Sequence, residues 1–429
     1  MLLGVQLGLG SLTGKVAGQG GSPAPSAAII HYPLYGQSLS LGSDPDGASI
    51  ISSETSNHRM FSAGVRAHID QLSSGGNQNT PIDPAGLAAF SNLSEQISPF
   101  GSAFGETLAS GMAAQLSRLS LFSTTGRGAY RINQLDPFAG GFLGDQNHFQ
   151  NTYASMLYGS IEAAEVGLTY SIGAFPWKHG EADAAALTTR ATYKAAITTM
   201  RDNLRRYAES AALIDASAVP LVTDQLAFRA DSIAAGSGAS STGNGAIAVA
   251  VLELHRSNDI VLVGPTYDAE FTAVNDVHFS SSGYREHGER WGLVLETLAG
   301  GGTWHPCHIT AASRSGTTIT LTVHVPSPPL VKDTATFASR SFSDDGFDYS
   351  GANITAVSIA DTGAGDNTAT IEITIDADAG GALRYAYENA AVDFRNLVGG
   401  HIRDSASETT INSGRNLWNW LCTDEWVLP

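Results

Sequence analysis

The chain has 429 residues, 42% of them hydrophobic and 15% charged, so it is long enough to fold as two domains with packed cores. Its formal net charge of −18 argues against nucleic-acid and anionic-membrane partners, which require a basic face. The two cysteines, Cys307 and Cys422, exclude a disulfide framework and are expected to be unpaired thiols, with a single bridge as the alternative.

The N-terminal segment, residues 1–27, is apolar and rich in glycine, and it contains the linker-like string GQGGSPAPS. It has no basic start, and glycines interrupt its apolar run, so a signal peptide is not expected. No later stretch reaches the roughly 18 uninterrupted apolar residues of a membrane span. A mature protein, or one released by cell lysis, would each explain this, so the N-terminal sequence leaves the location open.

Between residues 28 and 301, short apolar strands alternate with longer helices. This alternation predicts a parallel sheet with helices on both faces, which is a three-layer α/β/α domain. Residues 43–100 interrupt it with polar, turn-rich sequence and one short element near 60–66. The predicted strands span about 28–35, 119–125, 166–175, 219–228 and 259–269. The predicted helices span about 103–117, 147–166, 188–211, 244–256 and 281–299.

The residue pattern of the sequence changes near residue 301, where three consecutive glycines occur. Beyond them, strings such as TTITLTVHV alternate apolar and polar residues and are rich in Thr, Val and Ile. Residues 302–429 are therefore predicted to form a β-rich accessory domain of sandwich or jelly-roll type. The Trp418-Asn419-Trp420 cluster is interpreted as core or domain interface, with stacking on a sugar ring as the alternative.

Four polar loops follow predicted strands, and in parallel sheets the ligand site lies at the C-terminal ends of the strands. Each loop alone has an ordinary explanation, because serine commonly caps helices and glycine commonly makes turns. Their joint occurrence at one edge of a sheet points to a functional site. The loops are GQS at 36–38, GRG at 126–128, HGEAD at 179–183 and NDVH at 275–278.

These loops contain the groups that ester or amide hydrolysis requires. Ser38 is a weak nucleophile unless a base such as His278 takes its proton. The base needs an acid to orient it, for which Asp276 is the candidate. Backbone N–H groups of Ser38 and of the 126–128 loop are candidates for the oxyanion hole.

The four blocks resemble those of the SGNH (GDSL-like) hydrolases, in the carbohydrate-esterase branch related to sialate O-acetylesterases and acetylxylan esterases. The resemblance covers about residues 28–300. It implies that Ser38 is the nucleophile and His278 the base, with Gly283 and Gly288 in the helix that follows. It implies Gly128 as the oxyanion-hole glycine, with Gly126 as the alternative.

This chain departs from the family pattern at two blocks. Many relatives carry the acid three residues before the histidine, where this chain has Asn275. Some members of the esterase branch carry it two residues before, so Asp276 is expected to take that role, with a catalytic dyad or another carboxylate such as Asp268 as the alternatives. The third block often supplies an oxyanion donor, and His179 occupies that position here. Gln37, Glu181 and Asn275 are expected to support the site, with Glu181 either orienting His179 or acting as a structural anchor.

The resemblance implies a serine esterase that removes acetyl groups from an oligosaccharide or polysaccharide and needs no cofactor. A non-catalytic glycan-binding protein on a degenerate scaffold, or a lipase or thioesterase, is the alternative. Weaker similarity of 324–334 and 399–405 to appendages of phage-like esterases favours a virion association. No metal is expected, because the string WHPCH at 304–308 lacks a second spaced pair of ligands. The sequence leaves the oligomeric state open.

Overall fold

The central feature of the computed structural model is an eight-stranded sheet in strand order β3-β2-β4-β1-β6-β7-β8, with β5 paired to β1. All of its pairings are parallel except β2 with β3. The structure describes residues 27–44, 49–66, 83–97, 104–137, 147–227, 244–272, 277–336, 342–387 and 398–429. The strands are β1 Ala28–Gly36, β2 Thr55–Phe61, β3 Phe90–Leu93, β4 Ser120–Gly126, β5 Thr169–Ile172, β6 Phe175–Lys178, β7 Leu221–Gln225 and β8 Val261–Pro265.

Helices cover both faces of this sheet, as the sequence predicts. Successive strand residues point to opposite sides, so Leu34 joins the core under α1 and α7, and Tyr35 joins the core under α3, α5 and α6. Three helices start at hydroxyl caps, in which Thr107, Thr189 and Ser280 accept hydrogen bonds from backbone N–H groups. The helices are α1 Leu108–Gln115, α2 Ile132–Leu135, α3 Asn147–Glu165, α4 Glu181–Ala185, α5 Arg190–Ala212, α6 Asn244–Arg256 and α7 Ser281–Ala299.

Two details of the predicted sheet are wrong. Strands β2 and β3 lie in a segment interpreted as mostly turns, because their sequences TSNHRMF and FSNL are too polar to show alternation. The predicted strand 166–175 is two strands, β5 and β6. The strand is interrupted at Gly173, where an added Cβ would lie 2.6 Å from a ring carbon of Tyr32.

Beyond residue 301 the described residues contain no α-helix and form three further antiparallel sheets. Ile309 and Ile371 share one buried cluster with Leu34 and Trp291, and Cys422 belongs to the core on the other face of the central sheet. Because the core is shared, the packing does not separate a C-terminal all-β domain. The strands are β9 His308–Ser315, β10 Thr318–His324, β11 Val331–Lys332, β12 Phe347–Tyr349, β13 Ile354–Asp361, β14 Thr368–Ile375, β15 Gly381–Tyr385, β16 Ile402–Arg403 and β17 Asp424–Leu428.

Both cysteines are free and buried, and the Cys422 N–H donates to the Cys307 carbonyl at 2.9 Å. Trp420 is 1% exposed and belongs to the core, and the guanidinium of Arg403 stacks 3.5 Å from the Trp418 ring. Within the described residues, no helix is long and apolar enough to cross a membrane.

Helices α1 and α7 approach each other through glycines. A Cβ on Gly288 would lie 2.5 Å from the Leu108 carbonyl oxygen, and one on Gly111 would lie 2.3 Å from the Arg285 carbonyl oxygen. Both contacts are with backbone, which cannot rotate away. Since α7 begins three residues after His278, this contact also fixes the position of the loop that carries the histidine.

The Gly288→Ala change is expected to destabilise the fold by about 1–3 kcal/mol, because one extra methyl group forces the two helix backbones apart. Urea denaturation followed by circular dichroism measures the free energy of unfolding. Gly365→Ala is the matched control, since nothing lies within 4 Å of its added Cβ. Equal losses in the two variants would contradict the close helix contact.

Candidate active site

The hydroxyl of Ser38 and the imidazole of His278 form a hydrogen bond of 2.7 Å between Oγ and Nε2. Ser38 begins a 3-10 turn, Ser38–Ser40, directly after β1, and His278 precedes α7. Both side chains are half-buried. At this distance an imidazole can take the proton of a serine hydroxyl, and the sequence predicted that these two residues lie together.

Three strand ends meet at the same level below this pair. In the sheet register Gly36 lies opposite Gly126 on β4 and opposite Lys178 on β6. A Cβ on Gly36 would lie 2.0 Å from the Lys178 carbonyl oxygen, and one on Gly126 would lie 2.3 Å from the Gly36 carbonyl oxygen. Only glycine permits this approach, which places the GQS, GRG and HGEAD loops side by side.

Backbone and hydroxyl hydrogen bonds hold the turn that carries Ser38. The Gln37 N–H donates to the Lys178 carbonyl at 3.1 Å, and the Arg127 N–H donates to the Gly36 carbonyl at 3.1 Å. The Ser40 hydroxyl donates to the Gln37 carbonyl at 2.7 Å. As the first residue of the turn, Ser38 has a backbone N–H with no partner inside that turn.

The Gln37 side chain lies against α4. Its Nε2 donates to Glu181 Oε2 at 2.7 Å, and its Oε1 accepts from the Ala182 N–H at 3.4 Å. Gln37 is 2% exposed and Glu181 is 4% exposed. Glu181 therefore anchors the turn that carries Ser38, one of the two roles that the sequence left open.

His179 is placed differently from the predicted oxyanion donor. Its Nε2 donates to the Tyr130 carbonyl at 2.9 Å, and its Nδ1 accepts from the Tyr193 hydroxyl at 3.1 Å. Burial lowers the pKa of His179, which keeps the ring neutral. In this arrangement the ring has no N–H left for an oxyanion, and it joins the loop after β4 to α5 instead. Asp183 accepts from the Ile132 N–H at 2.7 Å in the same region.

The predicted acid, Asp276, and its neighbour Asn275 lie outside the residues that the structure describes. The alternative acid, Asp268, is committed elsewhere. Its two oxygens accept hydrogen bonds of 2.9 and 2.6 Å from Arg290. That pairing does not favour a role for Asp268 beside His278.

Burial lowers the pKa of His278 to about 4, so the ring is neutral near pH 7 and can accept a proton. Gly128, the predicted oxyanion-hole glycine, lies two residues past the end of β4 and is half-buried.

Among the described residues, no group of three or more His, Cys, Asp or Glu side chains is arranged to hold a metal ion. His305 instead contacts His255, with 3.1 Å between Nδ1 and Nε2.

Comparison with known proteins supports the fold. No family model matches the sequence, and no curated protein matches it. A carbohydrate acetylesterase from Xanthomonas citri is similar in structure, with a TM-score of 0.55 and 15% identity over 92% of this chain and 80% of that one. A carbohydrate acetylesterase family member from Sinorhizobium meliloti matches 63% of this chain and 100% of its own, with 13% identity and a TM-score of 0.37. An aryl esterase of M. smegmatis matches 63% of this chain and 100% of its own, with 12% identity and a TM-score of 0.36.

The His278 imidazole is expected to stay neutral between pH 8 and pH 5, because burial disfavours its charged form. NMR titration of the histidine Cε1–H signals measures this, and the signal missing in His278→Asn identifies the residue. An ordinary exposed histidine would titrate with a midpoint of about 6.5. A midpoint between 6 and 7 for His278 would contradict the expectation.

Proposed function

We propose that this chain is a serine esterase that removes acetyl or other short acyl groups from an acetylated oligosaccharide or polysaccharide. The observation that carries the proposal is the 2.7 Å hydrogen bond between Ser38 and His278 at the C-terminal ends of the parallel strands. The fold shared with a carbohydrate acetylesterase supports the choice of ester chemistry and of a carbohydrate substrate.

In the proposed reaction, Ser38 Oγ attacks the ester carbonyl while His278 Nε2 takes its proton. The oxyanion forms at the backbone N–H groups of Ser38 and Gly128, with Gly126 as the alternative to Gly128. The imidazolium then gives its proton to the leaving sugar oxygen, which leaves an acyl group on Ser38. A water molecule, deprotonated by His278, then attacks the acyl carbonyl, and the bond to Ser38 Oγ breaks as His278 returns the proton to that oxygen, which releases the carboxylic acid. No step uses a cofactor.

Asp276 is proposed as the acid that orients His278 and stabilises its imidazolium form. Its sequence position, two residues before the base, supports this assignment, and the Arg290 pairing of Asp268 argues against the alternative. His179 is proposed to support the site through Tyr130 and Tyr193, in place of the oxyanion role suggested by its sequence position.

The proposed chemistry belongs to residues 28–301, an SGNH-like hydrolase unit. Residues 302–429 are the β-rich accessory part, which shares its core with that unit. Residues 1–27 are the N-terminal segment. An extracellular or virion-associated location, where acetylated glycans occur as surface polymers, remains part of the proposal.

Ser38→Ala is expected to lower kcat for p-nitrophenyl acetate at least about 10³-fold, because no other group replaces the nucleophile. Acetate release from acetylated polysaccharides provides the second assay. Ser210→Ala on the exposed side of α5 is the control and is expected to retain wild-type activity. Equal rates for the wild type and Ser38→Ala would favour a non-catalytic glycan-binding protein. A preference for octanoyl over acetyl esters would favour a lipase or thioesterase.

Asp276→Asn is expected to lower kcat about 10²- to 10⁴-fold with a small change in KM, because the base loses the partner that holds its tautomer. Asp268→Asn is the comparison. It breaks the buried pair with Arg290, so it is expected to lower the free energy of unfolding and to lower kcat less than Asp276→Asn does. A larger loss of kcat in Asp268→Asn would move the acid to that position.

The pH profile of kcat/KM is expected to fall below a midpoint of about 4, because His278 becomes protonated there and can no longer accept the proton of Ser38.

A further inference from the structure

A buried charge network lies beneath the Ser38–His278 pair, and the proposed reaction does not use it. Lys178, at the end of β6, is 0% exposed, and its Nζ lies 2.9 Å from Asp224 Oδ1 and 3.3 Å from Glu181 Oε1. The other oxygen of Asp224 lies 2.8 Å from His287 Nε2. Charges this deeply buried lose several kcal/mol of hydration each, so a network of this kind needs an explanation.

On one side the network reaches the nucleophile turn. The second carboxylate oxygen of Glu181 accepts the hydrogen bond from Gln37, the residue before Ser38. The backbone of Lys178 contributes as well, because its carbonyl accepts from the Gln37 N–H. Lys178 is therefore connected to the turn through its main chain and its side chain.

On the other side the network reaches the loop of the base. The Lys178 ammonium lies 5.3 Å from the centroid of the Phe279 ring, a cation–π contact with the residue that follows His278. The His287 ring meets the same Phe279 ring edge-on at 5.3 Å. Asp224 holds both Lys178 and His287, so Phe279 rests on side chains that one carboxylate positions.

We infer that Lys178 is a positioning residue of the esterase site, whose ammonium joins Glu181 to Asp224 and so fixes the Ser38 turn relative to the His278 loop. The inference rests on the proposed function. Lys178 has no exposed surface with which to touch a substrate, so its effect passes through Gln37 and Phe279. A reacting hydroxyl and its base must be held to a fraction of an ångström, and small misplacement costs large factors in rate.

A cation is required because two carboxylates share this site. Without Lys178, Glu181 and Asp224 would be buried without the ammonium that both contact. The titratable groups that face them from other elements are His287 beside Asp224, His179 and Tyr284 near Glu181, and Tyr193 near both. Like charges in a buried site force one carboxyl group to take a proton or the groups to move apart. Either outcome loosens the hydrogen bond to Gln37 or the support of Phe279.

The test is Lys178→Met, with kcat and KM measured on p-nitrophenyl acetate between pH 5 and pH 8. At pH 8, kcat is expected to fall at least about tenfold and KM to change less than about threefold. The activity ratio of variant to wild type is expected to rise toward pH 5, where a proton relieves the repulsion. The double variant Lys178→Met with Asp224→Asn removes one carboxylate and is expected to raise kcat at pH 8 at least about twofold over Lys178→Met, without exceeding the kcat of Asp224→Asn alone.

Lys194→Met is the matched control, since Lys194 forms a half-exposed ion pair with Glu253 on the helical surface. It is expected to keep the wild-type kcat at every pH. A Lys178→Met kcat within twofold of wild type would overturn the inference. A loss that is the same at all pH values and is not recovered in the double variant would also overturn it, because that pattern indicates lost packing alone.

If Lys178→Met does not fold, Asp224→Asn carries the test, because it keeps the side-chain volume. It is expected to lower kcat at least about fivefold with little change in KM, and wild-type kcat would overturn the inference. Ser38→Ala, assayed in parallel, separates the two proposals. Equal wild-type and Ser38→Ala rates would reject the esterase itself, whereas an inactive Ser38→Ala with a fully active Lys178→Met would reject only the role of Lys178.

Discussion

The candidate active site depends on the close approach of three parallel strand ends. Gly36 can lie between Gly126 and Lys178 only because neither glycine carries a Cβ, which would fall within 2.3 Å of a neighbouring carbonyl oxygen. This spacing brings three loops together at the edge of the sheet where ligands bind in α/β folds. The hydrogen bond from the Gln37 N–H to the Lys178 carbonyl joins the Ser38 turn to β6 at this point, and the Ser40 hydroxyl bonds the Gln37 carbonyl within the turn.

Helix α7 fixes the position of His278 on the other side of the site. The loop of His278 leads into α7, which is packed on α1 through Gly288 and Gly111 and is held by polar contacts on two sides. His287 bonds Asp224 of β7, and Arg290 bonds Asp268 in the loop after β8. The helix is thus fixed by backbone packing and by buried charge together, so the distance between Ser38 and His278 reflects the whole sheet-helix interface.

Much of this arrangement could be predicted from the sequence, because a few local rules govern it. Strand-end loops of a parallel sheet converge, and this predicted Ser38 and His278 as neighbours although 240 residues separate them. The role of His179 could not be predicted, because its two partners, Tyr130 and Tyr193, come from other elements. The sequence does not predict β3, at the edge of the sheet, or most of its neighbour β2, because half-exposed strands tolerate polar residues and lose the alternating pattern.

The buried network of Lys178, Glu181 and Asp224 can be predicted from the sequence only in part. Strand β7, LVTDQ, carries an aspartate inside a fully buried run, and a charge there demands a partner of opposite sign. That demand can be read from the sequence, but Lys178 lies 46 residues away on the neighbouring strand, and only the β6–β7 pairing identifies it. Local patterns therefore predict the groups that are proposed to react, whereas the groups that hold them in place depend on sheet order. For this chain, that order places the Lys178 ammonium between the Ser38 turn and the His278 loop, a position that no spacing in the sequence expresses.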